Sequence, residues 1–293
     1  MTALIEERSP GGGSGARLAD DGGSVWVYLK HAGAVRAGWV RNRPGDGTAP
    51  RMPGVDGGPP LIAPTLLWTP DEAGVFVVDD GEPLALCRAS SAASVAASTT
   101  TPLADPWGEP EDAAWADARA FWATAEAESR RLRDAQEDSL RAVLGMPRDV
   151  WTTDGGSWPG RGIWVFDAGA QTLLLTSGVA ARPQPGGGRF ELALAVDAAA
   201  LAGHEQAVGA WLSGLSDLPW KRGVTLGDGV ALGGAPPIFP GCDSVLLTRR
   251  GPDVGTAEVD RWWAVPLSPA AREAGLAGGP DDALATMGWS PTA

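Results

Sequence analysis

The side chains that commonly perform chemistry are few in this chain and widely separated. The histidines are His31 and His204, and the cysteines are Cys87 and Cys242. None of them has another histidine or cysteine at the short spacing of zinc ligands, so the sequence predicts no metal site and no cofactor. The two thiols could pair, but this usage is more typical of reduced core cysteines in a cytosolic protein.

A hydrolase would need a hydroxyl nucleophile beside a base. Ser177 ends a predicted strand, between Thr176 and Gly178, but no G-x-S-x-G elbow surrounds it. His204 stands beside Glu205, which is more typical of a solvated or capping residue than of a general base. We therefore expect no catalytic residues, and the alternative is a hydrolase that brings His204 and a serine into one cleft.

The glycine-rich and acidic stretches lack the context that phosphate binding or acid–base catalysis needs. Residues 186–188 and 227–229 have neither a strand–loop–helix setting nor a following Lys-Ser/Thr, so they indicate turns. The aspartates at 79–80 and 281–282 are sequence neighbours, a spacing that carries no signal for an acid–base pair.

The composition limits the class of partner. The 293 residues carry a formal charge of −13 and a pI near 4.6, which makes nucleic acid an improbable direct partner. An acidic surface suits a basic protein partner, although many cytosolic proteins are acidic. There is no apolar run long enough to span a membrane, and residues 1–17 do not resemble a signal peptide, so we expect a cytoplasmic protein.

Four regions are predicted along the chain. They are a disordered lead-in at 1–20, a small β-rich domain at 21–90, a linker at 91–109, and an α+β domain at 110–293. Strands of the small domain are predicted at 24–30, 35–41, 61–68, 74–79 and 84–88, with a Gly/Pro-rich loop at 42–60. Four aromatic residues of this domain form either an exposed binding patch or core filling: Trp26, Tyr28, Trp39 and Trp68.

The larger domain opens with a long helix. Pro110 suits the first helical position, and Gly145 and Pro147 stop the helix. The polar middle, residues 126–139, predicts a solvated and kinked or broken stretch; Ser129 and Gln136 on the seam argue against a coiled coil.

Strands and helices then mix without regular alternation, which favours α+β with a mainly antiparallel sheet and flanking helices. Strands are predicted at 162–166, 171–176, 190–196, 244–248 and 259–265, and a helix at about 205–215. Ser268 and Pro269 predict the cap and first position of another helix, and Asp281 and Asp282 open a final helical turn.

An ordered series of segments in this domain carries a family resemblance. It includes QTLLLTSGV at 171–179, the strand at 191–192, WLSGL at 211–215, GVTLGDGV at 223–230, VLL at 245–247 and WAVPLS at 263–268. The series resembles the suppressor-of-fused-like domain family over about residues 130–293. Val230 stands where that family often has a histidine, which further favours a non-catalytic role.

The resemblance implies an α+β domain that acts by protein–protein contact, as a peptide clamp or as a bacterial immunity protein that neutralises a toxin. We expect an immunity or sequestering protein with a basic toxin as partner, with a scaffold subunit as the alternative. The predicted contact surface is made by Thr176, Ser177, Gly178, Trp220, Gly227 and Asp228. Trp220 is the predicted anchor, and its other interpretation is a residue that packs its helix onto the sheet.

Overall fold

The computed structural model describes residues 2–20, 24–42, 60–90, 93–94, 112–153, 158–236, 238–251, 254 and 256–289. It is a mixed α+β fold with largely antiparallel sheets and several helices, as the sequence predicts. Contacts divide the chain into two compact units: Met1–Ala125 with Pro219–Val224, and Glu126–Leu218 with Thr225–Ala293. The division falls inside the long helix rather than at the predicted boundary near residue 110.

The first unit contains two antiparallel sheets. The five-stranded sheet has the order β1-β2-β3-β4-β8, with β1 Thr2–Arg8, β2 Gly15–Asp20, β3 Ser24–His31, β4 Ala34–Asn42 and β8 Ala93–Ser94. The three-stranded sheet has the order β5-β6-β7, with β5 Pro64–Trp68, β6 Gly74–Asp79 and β7 Glu82–Arg88.

Alternation along β6 explains how the layers of this unit stack. Val75 and Val77 pack with the buried face of the five-stranded sheet, whereas Phe76 and Val78 pack with the first half of the long helix. Phe76 meets the Trp115 ring of that helix at 5.2 Å between centroids. The central strand β6 is therefore buried on both faces.

The predicted lead-in is wrong, because residues 2–20 form β1 and β2. Ala16 and Leu18 of β2 are buried in the core, and Ile5 of β1 packs against them. The apolar residues alternate with polar and charged ones over only a few positions, so the period-2 pattern of a strand is too short to recognise in the sequence. The predicted loop and linker lie outside the described residues, apart from Asn42 in β4, Pro60, and β8.

The aromatic residues of this unit fill the core more than they form a patch. Trp26 is 7% exposed and Trp68 is 4% exposed, so neither contributes to an exposed binding surface. Tyr28 is half-buried, and the side chain of Trp39 lies outside what the structure describes.

The second unit is built on a seven-stranded sheet of order β13-β14-β15-β12-β11-β10-β9. The strands are β9 Asp149–Thr152, β10 Gly162–Ala168, β11 Gln171–Ser177, β12 Phe190–Asp197, β13 Ala231–Gly233, β14 Ser244–Thr248 and β15 Asp260–Leu267. All its pairs are antiparallel except β12 with β15, which run parallel and place Glu191 beside Arg261. All five strands predicted here are confirmed within two residues.

The helices are α1 Asp112–Leu144, α2 Ala198–Leu201, α3 Glu205–Ser216, α4 Leu218–Arg222, α5 Pro269–Gly278 and α6 Pro280–Met287. The predicted cap of α5 is confirmed, since Ser268 Oγ accepts from the Ala271 amide and Pro269 takes the first position. Gly145 ends α1 with a φ of 80°, a left-handed conformation that glycine adopts without strain. Among the described residues, no helix has both the length and the apolar character that crossing a bilayer requires.

The predicted solvated break in α1 is wrong, because the helix is continuous and its middle is buried along one stripe. Ser129, Leu132, Gln136 and Leu140 are buried, with Leu132 packed on Ala180 and Val259. The stripe is only one residue wide, and two of its members are polar. The apolar pattern of the sequence includes Leu132 and Leu140, but it does not include Ser129 and Gln136, so the middle looks solvated.

This burial predicts the effect of truncating the helix at two positions. Leu132→Ala should lower the free energy of unfolding by about 2–5 kcal/mol, because it removes a fully packed side chain. Val143→Ala, at a position 59% exposed on the same helix, should change it by about 0.5 kcal/mol or less. Urea unfolding followed by circular dichroism measures both. Equal effects would contradict the buried stripe.

Candidate functional site

The five-stranded sheet has one face in the core and one face of polar side chains. Leu18 and Leu29 are fully buried and pack with the three-stranded sheet. Because successive residues of a strand point to opposite faces, Arg17, Tyr28 and Lys30 lie on the other face. We call this the outer face and define it by Arg8, Gly15, Arg17, Tyr28 and Lys30.

The strand register arranges three cations of the outer face around a glycine. Arg8 pairs with Gly15 and Gly15 pairs with Lys30, so these residues form one cross-strand row. Arg17 follows Gly15 by two positions on the central strand and pairs with Tyr28. Directly opposite residues project to the same face, so the floor between the cations carries no side chain at Gly15.

A cleft of about 620 Å³ opens on the outer face. Its lining includes the cations Arg8, Arg17 and Lys30 together with the carboxylates Glu6 and Glu7. The cleft is thus locally basic, in a chain whose formal charge is −13.

The cations of the cleft are unpaired within the described part of the chain. Glu6 lies across from Arg17 in the register, yet the two form no ion pair there, and neither Arg8 nor Lys30 has an ionic partner there. The Arg17 Nε is shielded from solvent and has no hydrogen-bond partner among the described residues. Leaving a buried N–H of this kind without an acceptor costs about 1–3 kcal/mol, and the fold does not satisfy this guanidinium internally.

The rim of the cleft is the turn between β1 and β2, and hydrogen bonds fix its conformation. The Ser14 amide donates to Ser9 Oγ at 3.0 Å, and the Gly11 amide donates to Glu72 Oε1 at 2.8 Å. Gly13 lies against Trp220, where an added Cβ would come within 3.1 Å of the Trp220 Cβ. The turn therefore holds the cleft wall in one position.

Ser14, which also lines the cleft, contacts a histidine. Its Oγ lies 2.8 Å from His31 Nδ1 and 2.9 Å from the Glu72 carbonyl oxygen. A carbonyl oxygen can only accept, so the hydroxyl proton goes to Glu72 and His31 Nδ1 donates to the hydroxyl. This is the reverse of a nucleophile–base pair, in which the imidazole would take the hydroxyl proton. The contact joins three segments of the first unit.

Burial sets the protonation of this histidine. His31 is 6% exposed, and desolvation lowers its pKa below the usual 6.5, with Asp71 and Glu72 acting in the opposite direction. Glu72 is itself fully buried with a φ of 57°, a strained conformation held by the hydrogen bonds around it.

Trp220, the predicted anchor, is 1% exposed and belongs with the first unit in the segment Pro219–Val224. Its other interpretation, a packing residue, fits this burial: the Cβ and backbone of Trp220 lie against Gly13 of the β1–β2 turn, and Gly223 of the same segment faces the His31 ring. Trp220 therefore supports the rim of the cleft rather than presenting a ring to a partner.

The predicted surface at the end of β11 is an interior site. Thr176 and Ser177 are 2% and 3% exposed, and Gly178 is buried. Thr176 Oγ1 donates to Glu191 Oε2 at 2.6 Å, and the Ala180 amide donates to Glu191 Oε1 at 3.0 Å. Gly178 has a φ of 90°, and a Cβ there would clash with the Gly160 carbonyl oxygen. The serine and threonine hydroxyls are thus part of the core.

Glu191 and Arg261 form a buried pair of opposite charges at this point. Desolvation raises the pKa of Glu191, with Arg261 and the surrounding hydrogen bonds opposing the change. Desolvation likewise lowers the pKa of Arg261 to about 10, with Glu191 opposing. Arg261 Nη1 also donates to the Thr176 carbonyl oxygen at 3.4 Å. The pair links β11, β12 and β15.

The remaining predicted site residues lie at the surface or far from a catalytic setting. Gly227 is half-buried, and Asp228 is exposed, with its Oδ1 accepting from the Arg249 amide at 2.8 Å. His204 is exposed at the start of α3, so the structure does not bring it into a cleft with a serine. Both cysteines are free, as expected, with Cys87 buried and Cys242 half-buried.

Sequence reasoning missed the cleft because β1 and β2 fall within the predicted lead-in. Lys30 offered one signal, since the chain has only one other lysine, Lys221.

Among the described residues, no group of three or more histidine, cysteine or acidic side chains could hold a metal ion. No protein-family model, curated protein or solved structure matches the chain.

The buried pair predicts an asymmetric mutational pattern. Glu191→Gln should lower the free energy of unfolding by about 3–5 kcal/mol, because Arg261 keeps a buried charge without its counter-ion. Adding Arg261→Met to that variant should recover at least half of the loss, since both charges are then gone. The exposed Glu126→Gln serves as the control with little effect. A double variant as unstable as the sum of the single ones would contradict this account.

The buried histidine predicts a pH dependence of stability. As pH falls below about 6.5, the unfolded chain protonates this imidazole before the folded chain does, so stability is lost down to the lowered folded pKa. Wild type should therefore lose more stability between pH 7.5 and 5.5 than His31→Gln, whatever the latter's stability at pH 7.5. His204→Gln, at an exposed position, should keep the wild-type slope. Thermal unfolding across this range measures all three slopes.

Proposed function

We propose that the chain is a non-catalytic protein-binding module and that the outer face is its binding surface. One observation carries the proposal: Arg8, Arg17 and Lys30 surround an open cleft and have no ionic partner among the described residues. Cations without an internal partner remain available to the carboxylates of another protein, and arginine is enriched at protein–protein contacts.

The packing around the cleft supports the same function. The rim is fixed by the Ser14 and Glu72 hydrogen bonds and by the buried Trp220, so the cations stand on a rigid scaffold. A preformed surface loses little conformational entropy when a partner binds. Placement on strands also holds the three charges at fixed spacing.

An immunity or sequestering protein in the cytoplasm, with a suppressor-of-fused-like second unit, is the second candidate. The observation that favours it is the formal charge of −13, which would complement a basic toxin on surfaces other than the cleft. The mostly antiparallel seven-stranded sheet with flanking helices is compatible with that family assignment. The alternative, a scaffold subunit of a larger assembly, would instead bind several partner proteins at the same time.

Co-purification with two charge-matched variants tests the first candidate. The full-length tagged chain would be purified from its native host as wild type, as Arg8→Ser/Arg17→Ser/Lys30→Ser, and as Arg130→Ser/Arg148→Ser/Arg249→Ser. The second set removes three exposed arginines of the other unit and changes the net charge equally. Mass spectrometry should find a partner that the cleft variant loses and the control retains.

The remaining outcomes separate the candidates. A basic partner retained by both variants, at about equal stoichiometry, would favour the immunity candidate and contradict binding at the outer face. Several co-assembling subunits would favour the scaffold. Circular dichroism of both variants confirms that loss of a partner is not loss of folding.

A further inference from the structure

The cations of the outer face have a spacing that selects among possible partners. Neighbouring strands are about 4.8 Å apart, and residues i and i+2 of a strand about 6.6 Å apart. From the register, Arg8 and Lys30 are therefore about 10 Å apart at the backbone, and Arg17 is about 8 Å from each. The three charges form a triangle around Gly15.

We infer that the outer face binds an extended acidic segment of a partner protein, with carboxylates at alternate positions; this inference depends on the proposed function above. An extended peptide presents alternate side chains on one side at about 6.6 Å intervals. Two or three such carboxylates can reach Arg17 and its two neighbours through the long side chains of the cations. The terminal nitrogens of the Arg17 guanidinium, which are not among the shielded atoms, supply charge-assisted donors.

The rest of the cleft fits a peptide chain better than a compact anion. Tyr28 is half-buried beside Arg17, and Val35, 39% exposed, pairs with Lys30 across the strands. These two side chains can contact the stem of a glutamate or an intervening apolar residue. Glu6, across from Arg17 on the same face, repels a ligand of uniformly high negative charge more than a segment whose carboxylates alternate with neutral residues, so it disfavours a phosphate backbone.

Gly15 leaves the room that such a segment needs. Its backbone is not in the left-handed region, and an added Cβ would meet only the Glu7 carbonyl oxygen, at 3.7 Å. Gly15→Val therefore fits the strand without strain while filling the floor between the cations. This substitution changes the shape of the cleft without changing its charge, so it tests the two contributions to binding separately.

Binding of a synthetic peptide tests the inference on the full chain. The probe is a capped octapeptide with glutamate at alternate positions, and its control has glutamine at those positions; fluorescence anisotropy measures the affinity at 50 and 300 mM salt. The glutamate peptide should bind at least tenfold more tightly than the glutamine peptide and should weaken at high salt. Arg17→Gln and Gly15→Val should each reduce affinity about tenfold or more, whereas Arg130→Gln should not.

Several results would overturn the inference. Equal affinity for the two peptides would show that carboxylates are not recognised, and equal or tighter binding of inorganic polyphosphate would indicate a general anion site. Unchanged affinity in both Arg17→Gln and Gly15→Val would place the peptide elsewhere. If the native partner still depends on the outer face while no acidic peptide binds, the proposed function stands and this inference fails. If neither depends on it, both fail.

Discussion

The buried carboxylate of Glu191 is the contact on which the architecture of the second unit most depends. It lies on β12, beside Arg261 of the parallel strand β15, and accepts from Thr176 at the end of β11 and from the Ala180 amide. Burying two charges costs several kcal/mol per ion, and the cost is recovered only when the lone pairs and N–H groups are satisfied. Glu191 meets this condition, whereas Arg261 Nε and Nη2 have no hydrogen-bond partner among the described residues. The bonds that Glu191 accepts from Thr176 and Ala180, rather than the charge pair, therefore fix β11 against β12.

Hydrogen bonds within the fold also engage two hydroxyls that could otherwise act as nucleophiles, those of Thr176 and Ser14. Thr176 and Ser177 end a strand, where a hydrolase could hold a nucleophile, but both are buried and the Thr176 hydroxyl donates to the Glu191 carboxylate. In the first unit, the Ser14 hydroxyl donates a hydrogen bond to the Glu72 carbonyl oxygen and accepts one from His31 Nδ1. Burial decides the role of Thr176 and hydrogen-bond direction decides that of Ser14, and both are properties of the folded chain.

An element of the fold could be predicted from the sequence where its own residues carry a clear apolar or capping pattern. The strands at 171–176 and 244–248 each contain three consecutive apolar residues, and the Ser268–Pro269 cap is a local signal, so all were predictable. Strand β2 has only two apolar residues on its buried face that alternate with charge, and the stripe of α1 includes Ser129 and Gln136. These elements are buried because of what packs on them, which no local pattern contains.

The candidate site was unpredictable for a related reason, since its residues come from three strands that only the register brings together. Arg8, Arg17 and Lys30 look like ordinary solvated charges when each is taken alone. Their proximity matters because salt at physiological concentration screens charges that lie more than about 8 Å apart. The acidic residues elsewhere in the chain therefore have little effect on a ligand in the cleft. Within the cleft, the separations are comparable to that length, so the local excess of cations determines which ligand charge is attracted. The cleft can therefore attract a negatively charged ligand even though the net charge of the whole protein is −13.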